Sequence, residues 1–149
     1  MPVTNYDTVN GQIISEHTSG VQLDYEVDPL GTPIHLWDQS SSLYVSTYRA
    51  KPYGDTLYAD GPSTMMRWVG SYGYRRSGLA WADYYVRARN YGSQQGQWTT
   101  VDPLAANGLL GLHFAKFPYT YVMCSPVSLI DPLGLAAEAG KPPYGVGPE

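Results

Sequence analysis

The chain has 149 residues, which is enough for one domain with a hydrophobic core. Charged residues make up only 15% of it, while it holds 14 tyrosines and 16 glycines, so the composition excludes an intrinsically disordered chain. The net charge of −4 predicts no nucleic-acid partner, and the single cysteine, Cys124, excludes an intramolecular disulfide.

No leader or membrane segment is expected. The first residues lack a basic stretch followed by an apolar run, which argues against a signal peptide. No window approaches the ~18 apolar residues of a transmembrane helix, so membrane insertion is not predicted, and the compartment stays undetermined.

The first sixty residues repeat a unit of one turn and one strand. Gly11, Gly31 and Gly54 are 20 and 23 residues apart. A period near 20 indicates stacked repeats, because one such unit cannot bury its apolar face alone. We therefore expect successive β-hairpins with these three glycines in the turns.

Two strands and one turn are predicted within these repeats. Val21–Val27 alternates apolar and polar residues, as a half-buried strand does, and residues 43–48 are rich in β-branched and aromatic side chains. Between these strands, Asp28-Pro29-Leu30-Gly31 has the residues of a type I turn, in which the Asp carboxylate caps nearby N–H groups.

Residues 81–91 form the longest predicted strand. On one side, arginines alternate with aromatic rings, which favours guanidinium stacking on ring faces. We expect a buried network, with ligand contact as the alternative. The residues predicted to form the structural core here and nearby are Trp68, Trp81, Tyr84, Tyr85, Arg87, Arg89, Tyr91 and Trp98. Residues 119–123 could form a strand or one helical turn.

No metal or cofactor is predicted. His17, His35 and His113 lack the spacing of metal ligands, and Cys124 has no neighbouring Cys or His. Asp-Pro-Leu occurs three times, beginning at Asp28, Asp102 and Asp131, and by itself each copy indicates a turn.

The order of motifs in the last third resembles the Rhs repeat-associated core domain of the YD-repeat family. These motifs are RWVG at 67–70, SGLAWADYYVRARNY at 77–91, GQWTTVDP at 96–103 and DPLGL at 131–135. The resemblance implies that the chain is the closing end of a β-shell. It also implies that Asp102 and Asp131 form a pair that cleaves the peptide bond between Leu135 and Ala136. Members of the family are commonly exported or associated with the envelope.

The sequence departs from the family pattern around the first aspartate. Val101 stands where the family commonly has Arg, Ala105 stands where it has Gly, and residues 106–112 form an apparent insertion. The leading hypothesis is therefore a non-enzymatic scaffold, without a toxin payload, that caps a shell or associates with larger Rhs or YD-repeat chains, or with itself. The alternatives are a self-cleaving aspartyl endopeptidase and an aromatic, arginine-rich module that binds glycan or another anionic partner.

The predicted fold class is mainly β, with antiparallel YD-type hairpins that form a partial β-shell and lead into an Rhs-core-like segment. We predict hairpin repeats over residues 1–60, the core-like segment over 61–135 and a flexible tail over 136–149.

Overall fold

The computed structural model describes residues 2–106 and 117–139. Its largest element is a six-stranded antiparallel sheet in which each strand pairs with the next along the chain. These strands are β1 (Thr4–Val9), β2 (Gln12–Thr18), β3 (Val21–Val27), β4 (Pro33–Asp38), β5 (Leu43–Ala50) and β6 (Thr56–Asp60). The predicted mainly β, antiparallel fold is thus confirmed, and the arrangement is an open sheet consistent with a partial shell.

The repeated glycines lie in the connections of this sheet, as predicted. Gly11 joins β1 to β2, Gly31 joins β3 to β4 and Gly54 joins β5 to β6, and each has a positive φ. At the β3–β4 connection, one carboxylate oxygen of Asp28 accepts hydrogen bonds from the backbone nitrogens of Leu30 and Thr32, both at 2.9 Å. The turn chemistry predicted for this motif is therefore present.

A second sheet has four antiparallel strands in the order β10-β9-β8-β7. They are β7 (Arg75–Leu79), β8 (Ala82–Val86), β9 (Arg89–Gly92) and β10 (Gln97–Trp98). The remaining elements are short: a 3-10 turn at Gly70–Tyr72, helix α1 (Pro103–Ala106), a 3-10 turn at Val122–Cys124, and the strand pair β11 (Leu129–Ile130) and β12 (Glu138–Ala139). Residues 119–123, which the sequence left open, thus lead into a 3-10 turn.

The prediction of one continuous strand over residues 81–91 is wrong. The chain turns back at Arg87 and Ala88, with Arg87 at a φ of 43°, so that β8 and β9 form a hairpin. Val86 pairs with Arg89, and residues that face each other in an antiparallel pair lie on the same side of the sheet. The hairpin therefore brings Arg89 onto the buried face of β8, whereas a single strand would have placed it on the opposite face.

Aromatic rings form most of the main core, which lies beneath the second sheet. Trp68 is at its centre, with ring centroids 5.0 to 5.6 Å from four tyrosines. The buried members of this cluster are Tyr48, Trp68, Val69, Tyr74, Tyr84, Val86, Tyr91, Trp98, Tyr121, Val122 and Ile130. Tyr48 comes from β5, so the cluster also joins the large sheet to the second one. Tyr25, Leu36 and Met66 form a smaller core.

Three of the residues expected in the core are exposed. Trp81 is 55% exposed because it lies in the turn between β7 and β8, and Tyr85 is 48% exposed because it points away from the face that carries Tyr84. Arg87 is exposed in the turn between β8 and β9, where it donates to the carbonyl of Pro132. The core interpretation is wrong for these three.

Several residues for which the sequence makes predictions lie outside the described ranges 2–106 and 117–139. The apparent insertion lies mostly within 107–116, which also contains His113, and most of the predicted tail lies within 140–149. Among the described residues, no ion pair joins residues 1–60 to residues 67–98.

Candidate active site

Arg89 lies between two buried aspartates that are far apart in the sequence. Its Nη1 is 3.0 Å from Oδ2 of Asp102, and its Nη2 is 2.8 Å from Oδ2 of Asp131. All three side chains are at most 9% exposed. The planar guanidinium suits this arrangement, because its fork of N–H groups donates to two acceptors at once.

Two further contacts fix the Arg89 guanidinium in place. Its Nε donates to the carbonyl of Gly134 at 2.5 Å, and its plane lies over the Trp98 ring, 4.0 Å from the ring centroid. Burial lowers the pKa of Arg89, while the two carboxylates oppose that effect. A guanidinium still keeps its charge at neutral pH, so Arg89 is a fixed cation between two acids.

The two aspartates divide their oxygens in the same way. Asp102 uses Oδ1 to accept the backbone N–H of Leu104 at 2.8 Å, which caps the start of α1, and presents Oδ2 to Arg89. Asp131 uses Oδ1 to accept the N–H groups of Leu135 at 2.8 Å and Ala136 at 3.0 Å, and also presents Oδ2 to Arg89. In both of these Asp-Pro-Leu motifs, the aspartate therefore caps the following backbone with one oxygen and presents the other to Arg89.

The backbone after the two aspartates differs because of the residue at the fourth position. Gly134 has a φ of 69°, which lets the chain turn tightly beneath Asp131. A Cβ at Gly134 would also lie 2.6 Å from the carbonyl oxygen of Val86. Ala105 follows Asp102 at the equivalent position, and the chain continues there as α1. The replacement of glycine by alanine noted in the sequence thus changes the local backbone.

Burial raises the pKa of the Asp131 carboxyl above its ordinary value. The N–H donors of Leu135 and Ala136 and the charge of Arg89 act in the opposite direction. With one guanidinium and two carboxyls, the fully ionised cluster carries one excess negative charge. A single proton shared with the carboxyls would neutralise it, which is a common state for paired acids.

A cavity of about 300 Å³ opens beside this cluster. The two aspartates and Arg89 form its polar wall, and Leu135, Ala136 and Ala137 form a second wall. The remaining lining residues are Phe117, Pro118, Thr120, Val122, Met123 and Cys124. Asp28, which begins the other Asp-Pro-Leu motif, does not line this cavity.

Three of the remaining lining residues form an unusual stretch of backbone. Val122, Met123 and Cys124 have φ values of 39°, 52° and 59°, so three consecutive residues that are not glycine lie in the left-handed region. Such conformations cost roughly 1–2 kcal/mol per residue and persist only where the surrounding structure enforces them. Sequence reasoning gave no sign of this strained wall.

Other chemistry is not apparent in the described part of the chain. Across residues 2–106 and 117–139, no group of three or more His, Cys, Asp or Glu side chains could hold a metal ion. Over the same residues, no helix is long and apolar enough to cross a membrane. Cys124 is a free thiol, exposed at the cavity edge.

The sequence is similar to part of one characterised toxin. In an alignment of 116 positions that covers 74% of this chain, it is 31% identical to toxin protein Tse5 of Pseudomonas aeruginosa. The matched region is only 8% of that protein's length. No family model matches the chain. The match to Tse5 supports membership of an Rhs-related family, the group that the motifs indicate.

The fold is similar to part of much larger toxin chains of known structure. A crystal structure of TcdB2-TccC3-TEV matches 90% of this chain with a TM-score of 0.68 and 23% identity. A crystal structure of TcdB2-TccC3 without its hypervariable C-terminal region gives a TM-score of 0.67 at 24% identity. The Tc holotoxin pore of Photorhabdus luminescens, with a TccC3 mutation, matches 99% of the chain at 0.67 and 20%. This chain covers 6 to 7% of each of these chains.

Proposed function

We propose that this chain is the closing end of an Rhs-type β-shell and that it cleaves its own backbone between Leu135 and Ala136. Asp102 and Asp131 are the proposed catalytic pair. One observation carries the proposal: Oδ1 of Asp131 accepts hydrogen bonds from the nitrogens of both Leu135 and Ala136. The carboxyl group is therefore already in contact with the nitrogen atom that becomes the leaving group.

The proposed reaction is a hydrolysis with one acid and one base. Asp102 takes a proton from a water molecule in the cavity as the water oxygen attacks the carbonyl carbon of Leu135. Asp131, in its protonated form, gives its proton to the Ala136 nitrogen as that atom becomes pyramidal and the C–N bond breaks. The products are a carboxylic acid at Leu135, which loses its proton to solvent, and an amine at Ala136, and the pair ends with its proton on Asp102 instead of Asp131.

The surroundings of the pair suit this division of roles. The raised pKa of Asp131 favours the protonated form that an acid catalyst needs. Arg89 holds both carboxyl groups, so their separation does not depend on flexible side chains. Since the bond to be cut belongs to the same chain, its effective concentration at the pair is high.

The test is the intact mass of freshly purified protein. We expect the parent to lack residues 136–149, and Asp102→Asn and Asp131→Asn to keep them. Asp28→Asn is the matched control, because Asp28 begins the same motif but does not line the cavity, and this variant should be cut like the parent. A folded parent of full mass would contradict the proposed cleavage.

A scaffold role without cleavage is the second candidate. In favour of it, every carboxylate oxygen of the pair already has a structural partner, as in a purely structural ion network. The edge strand β6 is exposed along its whole length, so another strand could add to it. The structural neighbours are parts of larger assemblies, which supports a larger Rhs chain, or a second copy, as the partner. Glycan binding gains no support.

A further inference from the structure

Both backbone polar groups of Asp131 form hydrogen bonds with the hydroxyl group of a distant tyrosine. The Tyr74 hydroxyl donates to the carbonyl oxygen of Asp131 at 2.8 Å and accepts from the backbone nitrogen of the same residue at 3.1 Å. The two residues are 57 positions apart, and Tyr74 is completely buried. A single side-chain oxygen thus satisfies both backbone polar groups of one of the paired aspartates.

The direction of a third hydrogen bond follows from proton counting. A phenol has one proton, and that of Tyr74 is directed to the carbonyl of Asp131. The hydroxyl of Tyr121 lies 3.0 Å from that of Tyr74, so Tyr121 must be the donor in this pair. The Tyr74 ring is in turn packed edge-on against Trp68, with centroids 5.5 Å apart. The hydroxyl therefore has little freedom to move.

Asp131 needs such support, because its own secondary structure is minimal. It follows β11, which has two residues and pairs only with the two residues of β12. Its carboxylate must nevertheless reach Arg89 on one side and the nitrogen of Ala136 on the other. Small displacements of a reacting group cost large factors in rate, so the fixed backbone matters for any chemistry at this position.

We infer that Tyr74 is the positioning residue of the site: its hydroxyl fixes the Asp131 backbone, so that the carboxylate stays against the amide of Ala136. The inference rests on the proposed self-cleavage for its consequence in rate. It makes a separate statement about the hydrogen bonds at Leu135 and Ala136, which can be measured without any reaction.

The test compares Tyr74→Phe with Tyr84→Phe. Tyr84 is a suitable control because it is equally buried in the same aromatic cluster, while its hydroxyl donates to Gly54 at 3.1 Å and not to Asp131. Each variant loses one buried hydroxyl and keeps its ring. Circular dichroism and urea unfolding show whether both remain folded and how far each is destabilised.

The first readout is amide hydrogen exchange, measured in an Asp102→Asn background that keeps the chain intact. We expect Tyr74→Phe to lower the protection of the Leu135 and Ala136 amides by about tenfold, beyond any global change, because their acceptor loses its support. Tyr84→Phe should leave these two amides unchanged. Equal protection in both variants would overturn the inference.

The second readout is the first-order rate of cleavage after refolding. We expect Tyr74→Phe to be slowed at least tenfold and Tyr84→Phe to stay close to the parent. Loss of protection without a slower cut would overturn the positioning role. If the parent is never cut, the proposed function fails, while the exchange result still decides whether Tyr74 fixes Asp131.

A milder variant covers the case in which Tyr74→Phe does not fold. Tyr121→Phe removes the hydroxyl that donates to Tyr74, which also interacts with the Asp131 backbone, and leaves both bonds between Tyr74 and Asp131 in place. Relative to Tyr84→Phe, we expect a loss of protection at Ala136 and a slower cut. If neither measurement changes, the inference that the Tyr121 and Tyr74 hydroxyls together hold Asp131 is overturned.

Discussion

Oδ1 of Asp131 lies 3.0 Å from the backbone nitrogen of Ala136 and 2.8 Å from that of Leu135, so one carboxylate oxygen touches both amides next to the proposed cleavage point. The turn over residues 131–136 produces this contact, and it includes Gly134 in the left-handed conformation. Its geometry therefore depends on few residues.

The rate of cleavage should fall as pH rises. Asp131 acts as the acid, and burial raises its pKa above the ordinary value. Above that raised pKa the protonated fraction drops about tenfold per pH unit, and the rate should follow it. Time courses of intact mass after refolding between pH 4 and 8 would measure this. A rate that does not decrease towards the alkaline end of that range would contradict the acid role of Asp131.

The raised pKa of Asp131 also predicts how the stability of the fold depends on pH. Because the pKa of Asp131 is raised on folding, the folded chain binds more protons than the unfolded chain between the ordinary and the raised value. The contribution of Asp131 to stability is thus full below the ordinary value and is lost as pH rises through the raised one. Urea unfolding across pH should show a flatter dependence for Asp131→Asn, and an unchanged slope would contradict the shift.

Loss of Arg89 should be severe. Arg89→Gln leaves two buried carboxyl groups without their cation, and breaking a buried ion pair on one side typically costs about 3–5 kcal/mol. Arg87→Gln removes the same charge from an exposed turn two residues earlier and should cost less than about 1 kcal/mol. Urea unfolding compares the two, and equal costs would show that Arg89 does not stabilise the pair.

A double variant tests whether the cost comes from the uncompensated charge. Adding Asp131→Asn to Arg89→Gln removes one of the stranded carboxylates. We expect the double variant to be more stable than Arg89→Gln alone. If instead the two substitutions add, the coupling between Arg89 and Asp131 is negligible.

The large sheet could be predicted from the sequence because its rules are local. Val21–Val27 alternates without interruption and forms β3 with those bounds, and the motif at Asp28 makes the expected turn. In both places the side-chain pattern and the backbone conformation follow from neighbouring residues. Neither the strand nor the turn depends on a residue that is distant in the sequence.

The second sheet could not be predicted in the same way. The turn between β8 and β9 consists of Arg87 and Ala88, without the Gly, Asn or Asp that usually marks a two-residue hairpin. Without that signal, residues 81–91 read as one strand. The error assigned Arg89 to the same face as Tyr85, while the hairpin places Arg89 inside.

The site was only partly visible in the sequence. Asp102 and Asp131 were named from the family motifs, and Arg89 was expected in a buried network, but its bridging position depends on partners 13 and 42 residues away. The chain has 14 tyrosines, and no sequence motif distinguishes Tyr74 from the others. Its role depends on where one hydroxyl ends up, which no spacing rule gives.

Gly54 should tolerate alanine less well than Gly11. Both have a positive φ, but a Cβ at Gly54 would lie 2.5 Å from the Trp68 ring, whereas a Cβ at Gly11 would have no neighbour within 4 Å. Gly11→Ala should therefore cost about 1 kcal/mol for the backbone alone. Gly54→Ala should cost about 1–3 kcal/mol more for the crowded ring. Thermal unfolding measures both, and equal costs would mean that Trp68 moves aside freely.

A glycine at position 123 should relieve the backbone strain at Val122–Cys124, which lines the cavity. Met123 has a φ of 52° and is 57% exposed, so Met123→Gly loses little burial and removes the penalty of a side chain in the left-handed region. We expect a gain of up to about 1 kcal/mol in the free energy of unfolding. Met65→Gly is the control, since Met65 is 40% exposed and does not have a positive φ, and it should be destabilising. Urea unfolding compares the two variants. A similar loss in both would mean that the turn at Val122–Cys124 stores no strain and that its shape follows from its contacts alone.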